Sequence, residues 1–215
     1  MNFRKLFDDD SPLGRFLGRT IDLCVLNLLW LLLCLPVVTA GAATCALHWA
    51  IIQMRQDRPG LYRGFFHAFR RDFWQATALW LMLLAAGAGL VFSFMLLAGW
   101  EGAAAMAGRV ILCAPMALLA MVAVYGFPLL ARFQLPFGAL LSDTVLLGLA
   151  YFPTTLLIVG LNLLPVLLVY FLPSVFASLL FIWVPLGFSL TALLIEKCLE
   201  PVMSRISEDN SSPHR

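Results

Sequence analysis

Apolar residues run along this chain in long windows free of Asp, Glu, Lys and Arg: 23–54, 73–100, 110–131 and 144–195. A membrane-spanning helix needs about 20 consecutive apolar residues. The first window therefore holds one long span or two short ones, the last holds two, and the middle windows hold one each. The alternating ten-residue segments of a membrane β-barrel are missing from the sequence. The pattern predicts an all-α, polytopic helical membrane protein, with an N-terminal helical hairpin or re-entrant segment followed by four transmembrane helices. Residues 1–205 read as a single helical domain. Within it, 12–56 form an amphipathic start plus the hairpin, 61–72 an interfacial helix, and the spans fall near 73–99, 110–131, 144–172 and 174–195. The polar tail, 206–215, reads as disordered.

The first window is decided by its middle, "PVVTAGAAT" at 36–44. Pro36 removes a backbone donor and clashes with the preceding turn. Val37, Val38 and Thr39 are stiff at χ1, and Gly41 tolerates unusual dihedrals. Basic residues then choose between one crossing and two, because cytoplasmic loops collect Lys and Arg. A single crossing over 23–54 divides the Lys and Arg residues nine against five between the two sides; a hairpin divides them thirteen against one. The hairpin is expected, with both termini cytoplasmic. Its second arm, 42–54, is about 20 Å long as a helix, short of the roughly 30 Å hydrocarbon layer, so the segment either spans twice or is re-entrant. Asp10-Ser11-Pro12 resembles a helix start, with a capping side chain and Pro in the first turn.

Composition agrees. The chain is 62% apolar and 12% charged, with a mean hydropathy of +0.93, against about 45–50% and 25% in soluble domains. Acidic residues at 8–10 and 22 precede or enter the first apolar run, unlike the short positive start of a cleaved signal peptide. Of the five cysteines, four lie in apolar runs and no Cys-x-x-Cys occurs, which reads as small core side chains.

The polar stretch "LYRGFFHAFRRDFWQA", 61–76, has helical periodicity. At 100° per residue Tyr62, Phe65, Phe66, Phe69 and Phe73 share one arc, and Arg63, His67, Arg70 and Arg71 share another. Such a helix lies at the headgroup level, where arginines gain from anionic lipid. The lipid- or partner-contacting residues expected are Arg63, Arg70, Arg71, Phe65, Phe66 and Phe69. Aromatics committed to lipid or core argue against nucleic acid as a partner.

Catalysis inside a membrane would need a nucleophile with a base, a metal cluster or paired carboxylates. The windows offer none of these, and no His-Glu-x-x-His, Gly-x-Ser-x-Gly or phosphate loop occurs. The chain reads as not an enzyme, with no cofactor and no metal. Asp22, Glu101, Asp143 and Glu196 fall at expected boundaries, where a charge costs little. His48 is the one ionisable group besides cysteine and tyrosine inside the windows; it is either functional, as intramembrane ionisable residues commonly are, or a neutral imidazole bonded to a neighbouring helix. Asn162, between Pro153 and Pro165, is expected to bond carbonyls those prolines free. Thr39 and Thr44 are expected to satisfy backbone at the hairpin tip.

Three stretches carry a family resemblance: "LNLLWLLLCLPVVTAGAATCALHWA" at 26–50, "FFHAFRRDFWQATALW" at 65–80 and "YGFPLLARF" at 125–133. With them the chain resembles the YesL-like family of small bacterial integral membrane proteins, whose activity is not established; the segment "QLPFGALLSD" at 134–143 is less polar than is usual there. The resemblance implies a bacterial cytoplasmic (inner) membrane location and an accessory, regulatory or assembly role linked to carbohydrate uptake, with the lipid bilayer and a membrane protein such as a carbohydrate transporter as partners. The alternative is a small permease with His48 and Asn162 near its pathway, for which so few short spans would need a homo-oligomer.

Overall fold

Two polar pairs show how the first apolar window is folded. Trp30 Nε1 donates to Thr44 Oγ1 at 3.1 Å, and Arg19 pairs with Asp57 at 3.0 Å. Both pairs are centred on residues 37–38, as an antiparallel hairpin requires. The structure is a computed structural model and describes residues 12–133, 135–171 and 185–201. The cap at 10–11, the turn at 173–174, the start of the 174–195 span and the tail at 206–215 lie outside these residues. Helix α1 (Pro12–Cys34) and helix α2 (Ala40–Arg55) are joined by a single 3₁₀ turn, Val37–Thr39. Then come α3 (Leu61–Ala98), α4 (Ala103–Arg132), α5 (Phe137–Ala150), α6 (Phe152–Phe171) and α7 (185–201). Among the described residues there is no strand. Gly14–Cys34, Val37–Arg55, Leu61–Ala98 and Ala103–Arg132 are each long and apolar enough to cross a membrane.

The hairpin tip is non-helical backbone in an apolar stretch, and such backbone must find partners when water is absent. Thr39 Oγ1 donates to the carbonyls of Leu33 and Pro36, Thr39 N to the same Pro36 carbonyl at 2.9 Å, and Trp80 Nε1 to the Val37 carbonyl at 2.8 Å. Thr39 therefore closes the tip as expected. Thr44 sits one turn further on, where its hydroxyl donates to the Ala40 carbonyl.

Helix α2 has 16 residues, about 24 Å. It tolerates being short because protein surrounds it: Ala42, Ala43, Cys45, Ala46, Ala50 and Ile51 have no exposed surface. Small side chains let neighbouring backbones come close. At Gly41 a Cβ atom would fall 2.6 Å from Trp80 Cβ and closer still to the Ala76 carbonyl. The return from α2 to α3 uses Gly60 at φ +85°, a left-handed conformation open to glycine.

Two expected boundaries are corrected. The interfacial helix expected at 61–72 and the span expected at 73–99 are one continuous helix, α3, of 38 residues, about 57 Å, with no proline between them to break it. The span near 144–172 is instead two helices. Helix α5 begins at Phe137, and α6 leaves it at 102°. Pro153 lies in the first turn of α6, where its fixed φ suits helix initiation. Thr155 Oγ1 donates to the carbonyls of Gly148 and Tyr151 at 3.0 and 3.1 Å, meeting the polar backbone the bend frees.

Replacing Gly41 with Val is expected to lower stability by about 1–3 kcal/mol through overpacking. Gly89→Ala, with nothing within 4 Å of the added atom, should be neutral or slightly stabilising. Reversible denaturation in mixed micelles checks both.

Candidate functional site

The inward face of α7 places the most consequential group of the structure. Ser189, Ala192, Ile195, Glu196 and Leu199 are all buried, at the three- and four-residue spacing of one helix face. The sequence put Glu196 at a boundary, where a carboxylate costs little. The structure corrects this: Glu196 has no exposed surface. The helix's apolar neighbours on the same face turn it into the bundle, and packing, not distance from the span's end, sets its burial.

A buried carboxylate is tolerated when its oxygens are paired, and both are. Oε1 lies 2.9 Å from His48 Nδ1, in the middle of α2, and Oε2 accepts from the Arg132 guanidinium at the end of α4. His48 is 5% exposed. Arginine stays charged in proteins, so its ion pair makes Glu196 a carboxylate, able only to accept. His48 Nδ1 must then be the donor. Among the described residues no partner is found for the other ring nitrogen, Nε2.

His48 also lines a cavity of about 420 Å³ between α1, α2, α3, α4, α6 and α7. Trp30, Trp80, Phe127 and Phe188 supply its broad walls, with Trp30 and Phe188 ring centroids 4.4 Å apart. Its polar members are Thr44, His48, Asn162 and Thr191. Their donors are mostly committed: Thr191 Oγ1 to the Gly187 carbonyl at 2.8 Å, Asn162 Nδ2 to the Ile158 carbonyl at 2.9 Å, and Thr44 Oγ1 to Ala40. What remains is the acceptor capacity of Asn162 Oδ1 and His48 Nε2, together with the second hydrogen of the Asn162 amide. Asn162, expected to bond a carbonyl freed by Pro153 or Pro165, bonds instead the Ile158 carbonyl, four residues back in its own helix.

Three of the four intramembrane polar residues singled out by the sequence, His48, Asn162 and Thr44, thus meet in one cavity, and Thr39 stays at the tip. The lipid-facing set divides. Arg63, Phe66, His67 and Arg70 are exposed. Phe65 is instead fully buried and Phe69 packs beside it, because that side of the aromatic arc meets α2. Arg71 pairs with the buried Asp72 at 2.6 Å, and Cys45 Sγ lies 3.6 Å from the same carboxylate. Asn27, buried on α1, was missed by the sequence reading: its side-chain oxygen accepts from the Ser189 amide at 2.9 Å. The signal available was a lone amide among leucines. No group of three or more His, Cys, Asp or Glu suited to a metal occurs among the described residues.

Residues 23–94, about a third of the chain, match a family model described as "Protein of unknown function, DUF624". The match is consistent with the resemblance noted from the sequence. It covers α1 from Leu23, the hairpin, α2 and most of α3, and so includes Trp30, His48, Asp72 and Trp80 but neither Arg132 nor Glu196. No curated protein and no solved structure matches the chain.

Glu196→Ala should cost up to about 3–5 kcal/mol, the penalty of leaving the half-buried Arg132 without its counter-charge. The double variant Glu196→Leu with Arg132→Leu should recover most of that loss. Unfolding measurements on the single and double variants in bicelles check the difference.

Proposed function

We propose that this chain is a non-enzymatic integral membrane protein that binds a small solute inside its helix bundle and moves it across the membrane. The observation that carries this reading is the cavity itself: six helices line an open-sided space of ligand size, with aliphatic walls, four aromatic rings and a few convergent polar groups, the usual make-up of a small-molecule site. The solute class follows from what the walls offer. Glu196 and Arg132 cancel in charge, the aromatic faces suit an apolar ring or edge, and the free polar atoms both accept, at Asn162 Oδ1 and His48 Nε2, and donate, at the Asn162 amide. A neutral molecule with hydroxyl groups and one apolar face fits best. A sugar or polyol meets that description, in line with the carbohydrate-uptake setting that the family resemblance implies.

A second reading, an accessory or assembly component beside a carbohydrate transporter, is favoured by the exposed Arg63, His67 and Arg70 on the first turns of α3. They form a basic face available to anionic lipid or to a partner's acidic surface.

The orientation proposed is both termini on the cytoplasmic side of a bacterial inner membrane. Contacts support a single charged end: Arg19 with Asp57, Tyr62 with Asp22, Arg55 with Glu200 and Arg132 with Glu196 gather the start of α1, the end of α2, the start of α3 and the ends of α4 and α7. Reporter fusions near residue 1 and at Gly60 should both read cytoplasmic; opposite readings would overturn the orientation.

In proteoliposomes, uptake of a panel of labelled sugars, polyols and small amines should identify a solute. Ala123→Phe, on the cavity wall, should cut that uptake by about tenfold or more, because a filled pocket admits no ligand. No uptake of any member, with a co-purifying partner lost on Arg63→Glu and Arg70→Glu, would favour the accessory reading instead.

A further inference from the structure

We propose that His48 and Glu196 form a proton-binding site whose occupancy sets the hydrogen-bonding character of the cavity. This rests on the cavity being the working site and goes beyond it by naming a second, ionic ligand.

The geometry requires a particular neutral state. Glu196 accepts from Arg132 on one oxygen and faces His48 Nδ1 at 2.9 Å on the other. With Nδ1 carrying the imidazole hydrogen, Nε2 keeps its lone pair and acts as an acceptor. Adding one proton from water to that lone pair makes an imidazolium, and nothing else is made or broken. The cluster then passes from net zero to one positive charge. At the cavity wall the acceptor becomes a donor. A solute that donates to Nε2 holds the proton off, and one that accepts holds it on, so proton and solute occupancy are linked.

The surrounding charges leave this cluster as the responsive one. On α3, Asp72 is paired with Arg71; on α7, Glu200 is paired with Arg55 of α2. Cys45 on α2 hydrogen-bonds to Asp72, and Tyr125 on α4 shares a hydrogen bond with Thr155. On α1, Asp22 accepts from Tyr62, and Arg19 pairs with Asp57. Asp143 is the charged residue of α5, α6 has none, and Lys197 is exposed on α7. Arg132 keeps 18% of its side chain exposed, which brings water to the edge of the cluster.

Nuclear magnetic resonance of the histidine-labelled full chain in lipid nanodiscs tests the proposal, with His67→Gln and His214→Gln used to assign His48. Neutral His48 should carry its hydrogen on Nδ1. Acidifying the sample should add a second hydrogen to the ring, at Nε2, and Glu196→Gln should move the midpoint at which it appears. Ala123→Phe, which fills the cavity and leaves the cluster intact, should also move it. A hydrogen on Nε2 in the neutral wild type, or a midpoint that neither substitution moves, overturns the proton site. A midpoint moved by Glu196→Gln alone overturns the link to the cavity. If Glu196→Gln does not fold, the wild-type tautomer and Ala123→Phe still decide. Absence of solute uptake with both shifts intact would sink the transport reading and leave the proton site standing.

Discussion

Glu196 has no exposed surface, and its two oxygens reach residues 64 and 148 positions away in the chain. Removing a carboxylate from water costs several kcal/mol even after relaxation, so α7 can dock only where a cation and a donor wait for it. That requirement selects the face α7 presents. With Glu196 inward, Ser189 falls two turns away on the same side, where Asn27 of α1 receives its amide. The stretch between these two polar ties carries Thr191, Ala192 and Ile195, all cavity residues. The ion pair at one end and the amide contact at the other hold α7 against the bundle, and the cavity is the space those ties leave unfilled beside Trp30 and Trp80.

The same rule governs the backbone. Both breaks, at Pro36 and at Tyr151, interrupt the helical ladder. At each, a threonine hydroxyl bends back to a carbonyl of the preceding helix: Thr39 to Leu33 at the hairpin tip, Thr155 to Gly148 at the bend between α5 and α6. A long-range aromatic then adds a further bond, Trp80 at the tip and Tyr125 at the bend. Irregular backbone survives in an apolar setting because it is sheathed in this way. The breaks also shape the site. The tip returns α2 into the bundle beside α3, and the bend turns α6 so that Asn162 can reach the cavity.

How much of this is legible in the sequence depends on which contacts decide it. Helix content and the hairpin are written locally, in windows without charge and in where arginines gather, because lipid solvation acts on each segment separately. His48, Thr44 and Asn162 stand out for the same reason: a polar side chain in an apolar run has few bland explanations. Their meeting in one cavity is not written locally, since it depends on pairs such as Thr44 with Asn162 more than a hundred residues apart. Glu196 misled for a complementary reason. It sits near the end of an apolar window, so counting residues makes it cheap, yet neighbouring helices pack over it and bury it. Phe65 follows the same logic, since helical periodicity defines an aromatic arc but not which half of it meets α2.

The charged groups are distributed unevenly along the bundle, and this bears on what the His48 cluster can do. At one end, arginines and carboxylates pair across five helices. At the other, Arg109 donates to the Leu97 and Trp100 carbonyls and so completes the end of α3. Arg132, Glu196 and His48 run inward from the charged end and stop at the cavity wall. Within the cluster one carboxylate, Glu196, bridges the Arg132 guanidinium and the His48 ring. A purely structural ion pair has no need of a third member lining a cavity. Among the described residues His48 has one nitrogen on a fixed carboxylate and no partner for the other, which is the arrangement the proposed proton site requires.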